Sequence, residues 1–393
     1  MVSEDKKIAR QLEAQVHQEV PIIKLRKVSE GKNLVLEVRR MEVVTSTLES
    51  SFIKHLPNST DTNHEDFYHM AQYITGLIVY PITCVFGITG NILTLVVLSH
   101  KDLATSTNVY LSALAVGDLI KLINDTLYFI VLLIKTWNPD KGDESLSRLY
   151  PYAHYLFNLS LCITGWLTVS VAFERYISIC HPTRAKEMCT VFRARIVSTF
   201  VFIFMIIFSL PSALRYKTVI RLRPNTNDSY HDVELTDLGR NDAFMTPYTW
   251  VQNCLRTLLP LLILVFLNAR IVHELRRSRV PGKKLSSRNR ITLMLIVVVI
   301  VFIICITPDA IMSTVFGFGY YDETNLVRGI REITDTLLAI NSACNFVLYC
   351  TMSKVFRDTF VKMFLRDCTW CPMWCSNKWK LESQTNQINN TVK

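Results

Sequence analysis

Long apolar segments alternate with short polar connections along most of the 393-residue chain. A helix of about 20 apolar residues crosses the roughly 30 Å hydrocarbon core of a bilayer. Hydropathy predicts seven such spans, approximately at 71–99, 108–134, 150–180, 193–214, 248–272, 291–317 and 333–352. The seventh is the least certain, because Asp335, Asn341 and Asn345 interrupt it. The pattern predicts an all-α fold, a seven-transmembrane helix bundle.

The predicted bundle divides the chain into three parts. These are an extracellular N-terminal tail at 1–70, the bundle at 71–352, and an amphipathic helix with a cytosolic tail at 353–393. The tail begins without the apolar segment of a cleaved signal peptide, so span 1 is expected to act as its own insertion signal. Apolar side chains recur on one face of the last part, as in a helix lying on a membrane surface: Val355, Phe356, Phe360 and Phe364. The sequence therefore predicts a short interfacial eighth helix.

Basic residues indicate the orientation of the bundle. Short cytosolic loops retain lysine and arginine. The connection between spans 5 and 6 holds seven of them, namely Arg276, Arg277, Arg279, Lys283, Lys284, Arg288 and Arg290. We therefore expect a multi-pass plasma-membrane protein with its N-terminus outside and its C-terminus in the cytosol. The net charge of +10 is then mainly a topology signal, and no nucleic-acid partner is expected.

Two kinds of covalent modification fit this orientation. Asn58 and Asn227 lie in N-glycosylation sequons on the outer side. Cys368, Cys371 and Cys375 follow the amphipathic helix on the inner side. Their spacing is also that of part of a metal knuckle, but no fourth ligand lies nearby. Juxtamembrane S-palmitoylation is the favoured interpretation.

Polar and kinking residues mark six of the spans in a recognisable order. Glu174-Arg175-Tyr176 ends span 3, and ionisable residues at a span margin are functional candidates. The other landmarks are Gly90-Asn91, Asp118, Pro260, Phe302, Pro308 and Asn345-Phe346-Val347-Leu348-Tyr349. Over roughly 71–366 this order resembles a class A (rhodopsin-like) G-protein-coupled receptor. The segment Asn345 to Cys350 is similar to that of the FMRFamide-type neuropeptide receptors and their orphan relatives.

The resemblance implies a switch at the cytosolic end of the bundle. Arg175 would be neutralised by Glu174 at rest and contact a heterotrimeric G protein once span 6 swings outward. The implied switch residues are Glu174, Arg175, Tyr176, Phe302, Pro308, Asn345 and Tyr349. The alternative for Glu174 and Arg175 is a helix-end ion pair, which stabilises by less than ~1 kcal/mol. Span 6 reads Arg288-Asn289-Arg290 where the family often has an acid, so raised basal signalling is expected.

The resemblance also implies further partners and one ion. Arrestin, receptor kinases and membrane lipids are expected partners. Sodium is the one expected ion, and no other cofactor is predicted; the implied sodium ligands are Asp118, Thr164, Asn341 and Asn345. The alternative for Asp118 is a protonated or hydrogen-bonded carboxyl. Receptors of this class usually tie span 3 to the following outer loop by a disulfide, but Tyr150 stands at that position here. The sequence therefore does not predict a rigid lid.

A ligand pocket is expected between the outer halves of the spans. Four acids cluster there, Asp125, Asp309, Glu332 and Asp335, with Arg256 as their counter-charge. Two interpretations stay open: an internal salt-bridge network, or one or two acids left to pair with a basic ligand. A peptide ending in Arg-Phe-amide would offer that cation, and an aromatic ring for Tyr128, Phe157, Trp250 and Phe316.

The sequence thus predicts a cell-surface receptor for an extracellular neuropeptide. A small aromatic or amino-acid-like ligand is the alternative. A membrane transporter would often show two corresponding halves, and no such repeat is visible. An enzyme is not expected, since no nucleophile–base or metal constellation occurs among the scattered histidines.

Overall fold

The computed structural model describes residues 61–222, 229–277, 287–316 and 324–364. Within these ranges seven long helices form the bundle, as the sequence predicted. Their bounds are Asp61–Gln72, the π-helical turn Tyr73–Val79 and Tyr80–Leu98 for span 1, Ser106–Trp137 for span 2, Pro139–Cys180 for span 3, Val191–Phe208 for span 4, Asp242–Asn253, the π-helical turn Cys254–Leu258 and Leu259–Arg277 for span 5, Ser287–Phe316 for span 6, and Asn325–Met352 for span 7. Shorter helices are Lys101–Leu103, Pro182–Met188, Leu210–Ala213 and the eighth helix, Lys354–Phe364.

Several helices extend beyond the apolar segments that predicted them. Span 1 begins at Asp61 rather than at 71, so the tail predicted at 1–70 overlaps this helix. Its first turns are polar and exposed, with Glu65 Oε1 3.7 Å from His69 Nε2, and hydropathy does not detect such turns. Span 3 begins at Pro139 because the Asn138 side chain accepts a hydrogen bond from the Lys141 N–H at 3.0 Å and caps the helix.

Span 2 carries several ionisable residues within its apolar sequence. Among the residues that the structure describes, six helices are long and apolar enough to cross a membrane, and Ser106–Trp137 is not one of them. It carries Asp118, Lys121 and Asp125, all buried within the bundle. Among these six helices span 7 has the lowest hydropathy, which agrees with the expectation that it would be the least certain. Ionisable groups lower the hydropathy of span 2 without moving it out of the bundle, because other helices surround them.

Small residues bring spans 1 and 7 into close contact. A Cβ added to Gly90 would lie 2.9 Å from Phe346 Cβ, so no larger side chain fits there without movement. Asn91 Nδ2 donates to the Ser342 carbonyl oxygen at 2.9 Å. The Phe346 ring also packs edge-on against Phe356 of the eighth helix, with centroids 6.1 Å apart. Phe346 thus holds the eighth helix against the end of span 7.

A two-stranded antiparallel hairpin joins spans 4 and 5, and the all-α prediction omitted it. Strand β1 is Tyr216–Leu222 and strand β2 is Ser229–Leu235, with Tyr216 opposite Leu235. The run Thr218-Val219-Ile220 is β-branched throughout and was the available signal. Across the strands, a hydrogen bond to Glu234 raises the pKa of the Arg221 guanidinium. We call this end of the bundle the hairpin end and the opposite one the Arg175 end.

The hairpin is attached to span 3 without a disulfide. Tyr150, at the position where the family usually has a cysteine, meets the Tyr216 ring edge-on at 5.1 Å between centroids. Thr218 Oγ1 donates to the Ser147 carbonyl oxygen at 2.7 Å, and Ser147 Oγ donates to the His231 carbonyl oxygen at 3.1 Å. Aromatic packing and hydrogen bonds therefore attach the hairpin to span 3.

Candidate functional site

A cavity opens at the hairpin end and holds about 1050 Å³ of empty space, including its mouth. Seven of the nine residues predicted to bind ligand line it: Asp125, Tyr128, Phe157, Arg256, Asp309, Glu332 and Asp335. The sequence interpretation missed a further twelve, which are Tyr68, Gln72, Tyr80, Asn124, Leu146, Leu149, Tyr150, Ala153, His154, Asn158, Ser313 and Arg331. Most of these are neutral residues at helical spacing, which sequence does not distinguish from packing residues.

The structure does not bring the other two predicted aromatic residues to the cavity. Trp250 is 53% exposed and Phe316 is 43% exposed, and neither lines it. Trp250 lies six positions before Arg256 on span 5, which places the two side chains on different helix faces. Phe316 is the last residue of span 6 that the structure describes, beyond the cavity wall. Trp250 and Phe316 therefore do not belong to the cavity wall, contrary to the sequence prediction.

Arg256 is the centre of a buried polar network. It is 1% exposed. Its Nη2 lies 2.8 Å from Asp309 Oδ2 and 2.5 Å from Ser313 Oγ, while Nη1 lies 3.0 Å from Asn158 Oδ1. The network therefore joins spans 3, 5 and 6.

A π-helical turn in span 5 presents Arg256 to the bundle interior. Arg256 lies within Cys254–Leu258, and Pro260 follows without a backbone N–H to continue the helical ladder. Trp166 Nε1 of span 3 donates to the Leu255 carbonyl oxygen inside this turn, at 2.9 Å. The turn is thus held by a neighbouring helix at the point where its own hydrogen bonding changes.

Lys121 was not among the predicted site residues, yet it forms the second buried ion pair of the cavity region. Its Nζ lies 2.5 Å from Asp125 Oδ1 and 2.6 Å from Oδ2, and Lys121 is 1% exposed. The four-residue spacing of Lys121 and Asp125 on one helix face was a usable signal. Lys121 Nζ also lies 5.0 Å from the Phe157 ring centroid, and Arg256 Cζ lies 5.9 Å from it. Phe157 is therefore engaged by two cations.

These contacts separate the four acids that the sequence treated as one cluster. Asp125 and Asp309 each form an internal ion pair. Glu332 instead accepts a hydrogen bond from the Tyr128 hydroxyl at 2.6 Å, and Gln72 Nε2 donates to the same hydroxyl at 3.1 Å. The internal-network interpretation holds for two of the acids and does not extend to Glu332.

At the Arg175 end, Glu174 and Arg175 belong to a buried cluster with span 2. Arg175 Nη2 lies 3.2 Å from Glu174 Oε1. Thr107 Oγ1 donates to Glu174 Oε1 at 3.2 Å, Ser106 Oγ donates to the same oxygen, and Arg175 Nη2 donates to Thr107 Oγ1. The pair is not an exposed helix-end ion pair, because Glu174 is 5% exposed and is shared with a second helix.

The remaining predicted switch residues lie along the bundle interior. Phe302 and Tyr349 are buried, and Pro308 lies inside the span 6 helix. Tyr176 differs, since its hydroxyl lies 3.3 Å from His181 Nε2 near the exposed end of span 3. The structure therefore places Phe302 and Tyr349 in the core, Pro308 at a partly buried position and Tyr176 at the margin, while Asn345 is buried beside Asp118.

Asp118 is fully buried next to span 7. Asn345 Nδ2 donates to Asp118 Oδ2 at 2.7 Å, and Ser342, which the sequence interpretation missed, lies within hydrogen-bonding reach. Asp118 Oδ1 has no hydrogen-bond partner among the described residues. Thr164 and Asn341, the other two predicted ligands, make no direct hydrogen bond to Asp118 in the same part of the chain. One orphaned carboxylate oxygen in a polar, buried setting fits a small cation.

Some predicted sites lie outside the described residues. They are the sequon residues Asn58 and Asn227 and the cysteines Cys368, Cys371 and Cys375. The side chains of Arg288 and Arg290 are also outside the description. No group of three or more His, Cys, Asp or Glu side chains able to hold a metal ion occurs in the part that is described.

Comparison with known proteins identifies the family. The sequence model of the family described as 7 transmembrane receptor (rhodopsin family) matches residues 90–349 of this chain. The FMRFamide receptor of Drosophila melanogaster is 24% identical over 75% of this chain, which spans about half of that receptor (54%). The sex peptide receptor of the same fly is 29% identical, with 72% of this chain and 71% of that protein covered. Neuromedin-U receptor 2 of Mus musculus is 29% identical, with coverage of 75% and 76%.

These relatives are receptors and not enzymes, and the apolar helices make this protein a multi-pass membrane protein. The match extends from Gly90 in span 1 to Tyr349 in span 7 and so includes all the predicted switch residues. The chain therefore belongs to the rhodopsin family of seven-transmembrane receptors.

Proposed function

We propose that this receptor binds an extracellular neuropeptide in the cavity at the hairpin end and activates a heterotrimeric G protein at the Arg175 end. The observation that carries the proposal is the cavity itself, with charged and aromatic walls contributed by six spans. The names of the relatives, FMRFamide receptor, sex peptide receptor and neuromedin-U receptor, support a peptide ligand. An amidated peptide ending in Arg-Phe is the first candidate.

The two ends are coupled as a shift between two populations. A peptide that binds the state with span 6 moved outward better than the resting state increases the fraction of that state. A G protein that binds the same state at Arg175 raises the affinity for the peptide by the same factor. Pro308 provides the point about which span 6 bends, because it removes a backbone donor inside the helix.

The proposal includes an orientation and its consequences. The hairpin end faces outside, with the C-terminus in the cytosol, in agreement with the basic connection between spans 5 and 6. Glycans at Asn58 and Asn227 and palmitoyl groups at Cys368, Cys371 and Cys375 follow from this placement. Arrestin and receptor kinases would meet the same cytosolic face as the G protein, and membrane lipids would surround the apolar helices.

Replacement of Arg175 tests the proposed function. We expect that an amidated peptide from a panel led by Phe-Met-Arg-Phe-amide activates a G protein in cells expressing the wild-type chain. In Arg175→Ala the response should fall at least tenfold while peptide binding persists, because the G-protein contact is removed and the peptide cavity lies at the opposite end of the bundle. The measurement is G-protein activation at matched surface density. A response that is unchanged in Arg175→Ala would contradict the proposed coupling, and a peptide panel without any response would contradict the proposed ligand class.

We also propose that sodium binds beside Asp118 and favours the resting state. Asp118 would supply the charge, with oxygen atoms of Thr164, Asn341 and Asn345 around the ion. Raising sodium concentration at constant ionic strength should weaken agonist binding to the wild type several-fold, and Asp118→Asn should remove this dependence. The measurement is competition binding in sodium against N-methylglucamine. A wild-type receptor that is indifferent to sodium would reject the site.

A further inference from the structure

Glu332 differs from the other strongly buried acids of the cavity. It is 2% exposed and lines the cavity wall on span 7. Its hydrogen-bonding neighbours are neutral: the Tyr128 hydroxyl at 2.6 Å, with the side chains of Gln72 and Thr75 also within reach. No lysine or arginine nitrogen of the described residues lies within 4.0 Å of its carboxylate. The carboxylate therefore has hydrogen-bond donors but no counter-cation in the part of the receptor that is described.

Asp125 and Asp309, the two other strongly buried acids of the cavity, are each neutralised by a cation of the bundle. Asp125 is held by Lys121 through both oxygens, and Asp309 is held by Arg256. Each pair is almost completely buried. A ligand cation that approached either acid would have to compete with a buried cation already in place. Glu332 presents no such competitor.

Tyr128 and Gln72 hold Glu332 in a defined position. Gln72 Nε2 donates to both the Tyr128 and the Tyr68 hydroxyls, at 3.1 and 3.0 Å, and so links spans 1, 2 and 7 around the carboxylate. A carboxylate that is fixed before the ligand arrives loses little conformational entropy on binding. A desolvated charge without a partner is unfavourable, and a ligand cation removes that penalty.

We propose that Glu332 is the carboxylate that receives the cationic group of the ligand. The ligand class is then a compound with a guanidinium or ammonium group, and a planar guanidinium can bind both carboxylate oxygens at once. This assignment rests on the proposed function, because it takes the cavity as the agonist site. It selects Glu332 over Asp125 and Asp309, the two acids that form internal ion pairs.

A double-mutant cycle between receptor and ligand tests the assignment. The receptor is the full chain, wild type or Glu332→Gln, in which the amide keeps the size of the side chain and an acceptor for the Tyr128 hydroxyl. The probes are Phe-Met-Arg-Phe-amide and the same peptide with citrulline in place of arginine, which keeps the shape but removes the charge. The measurement is the dissociation constant of each probe for purified receptor.

The wild type should bind the arginine peptide about 10- to 100-fold more tightly than the citrulline peptide, as expected for a hydrogen-bonded charge. In Glu332→Gln the two peptides should bind within about threefold of each other. Glu65→Gln is the matched control, since it makes the same change at an exposed acid of span 1 that does not line the cavity. It should keep the discrimination of the wild type.

Three results would overturn the assignment. The first is an equal loss of affinity for both peptides in Glu332→Gln, which would indicate a packing role. The second is retained discrimination in Glu332→Gln, which would move the cation to another acid. The third is a wild type that does not discriminate between the peptides. Signalling that depends on Arg175 would in each case still support the receptor function, so the two failures are distinguishable.

Discussion

Asp309→Asn is expected to remove most folded receptor from the cell surface. The substitution keeps the shape of the side chain but leaves the Arg256 guanidinium, which is 1% exposed, without its carboxylate. Removing one partner of a buried ion pair destabilises a protein by about 3–5 kcal/mol. That is a large part of the total stability of a typical domain, about 5–15 kcal/mol. We therefore expect a strongly lowered thermal midpoint together with intracellular retention.

Replacing both partners distinguishes a lost charge balance from lost packing. Arg256→Met combined with Asp309→Leu should recover most of the stability, because an apolar pair of similar volume is often neutral or stabilising at a buried site. Asp143→Asn is the matched control. It changes the same functional group in an exposed pair, with Lys135 Nζ 2.8 Å from Asp143 Oδ1, and should cost less than ~1 kcal/mol.

The measurements are surface expression of tagged receptor and the melting temperature of the solubilised protein. If Asp309→Asn and Asp143→Asn had equal effects, the buried pair would not be structurally important. A double variant as unstable as Asp309→Asn would show that packing, and not charge, is what the site requires.

Glu174→Gln is expected to raise basal G-protein activation about tenfold or more. Glu174 Oε1 is shared by Ser106, Thr107 and Arg175, and this cluster holds the Arg175 guanidinium at rest. Hydrogen bonds to a charged group contribute about 1.5–3 kcal/mol, and each 1.4 kcal/mol changes a population ratio tenfold. The amide of glutamine still accepts from the hydroxyls but no longer attracts the guanidinium. Arg175 is then released for a fraction of the time without agonist.

Basal activity at matched surface density is the measurement, with Glu187→Gln as the control. Glu187 is an exposed acid in the Pro182–Met188 helix at the same end of the bundle, and its replacement makes the same change in net charge. Unchanged basal activity in Glu174→Gln would show that the cluster does not restrain the receptor. A similar rise in Glu187→Gln would assign the effect to general charge at this surface.

The cluster also bears on the basal activity of the wild type. The absence of an acid near Arg288 and Arg290 in span 6 led to the expectation of raised basal signalling. Thr107 of span 2 gives Arg175 a resting partner on another helix, which that expectation did not include. Raised basal signalling of the wild type stays a prediction, and the span 2 contacts favour a smaller rise than the sequence alone indicated.

Hydrophobic periodicity and a few polar landmarks were enough to predict the bundle, its seven spans and the eighth helix. The bilayer allows few backbone arrangements, so a run of about 20 apolar residues is strongly predictive. Seven of the nine residues that the sequence predicted to bind ligand line one cavity. The sequence did not predict the hairpin, because a strand signal of seven residues with mixed polarity is weak. It also did not predict the contacts that attach the hairpin to span 3 in place of a disulfide.

Tertiary contacts determined how the charges on different spans pair. The four-residue spacing of Lys121 and Asp125 indicates their pairing within span 2, but the sequence does not show that Arg256 neutralises Asp309, or that no described cation neutralises Glu332. Arg256 and Asp309 lie on different spans, so their pairing depends on the rotation of each helix and on the π-helical turn Cys254–Leu258. The apolar sequence thus determines that the helices cross the membrane. How they face one another, which decides the chemistry of the cavity, follows from packing between segments distant in the chain.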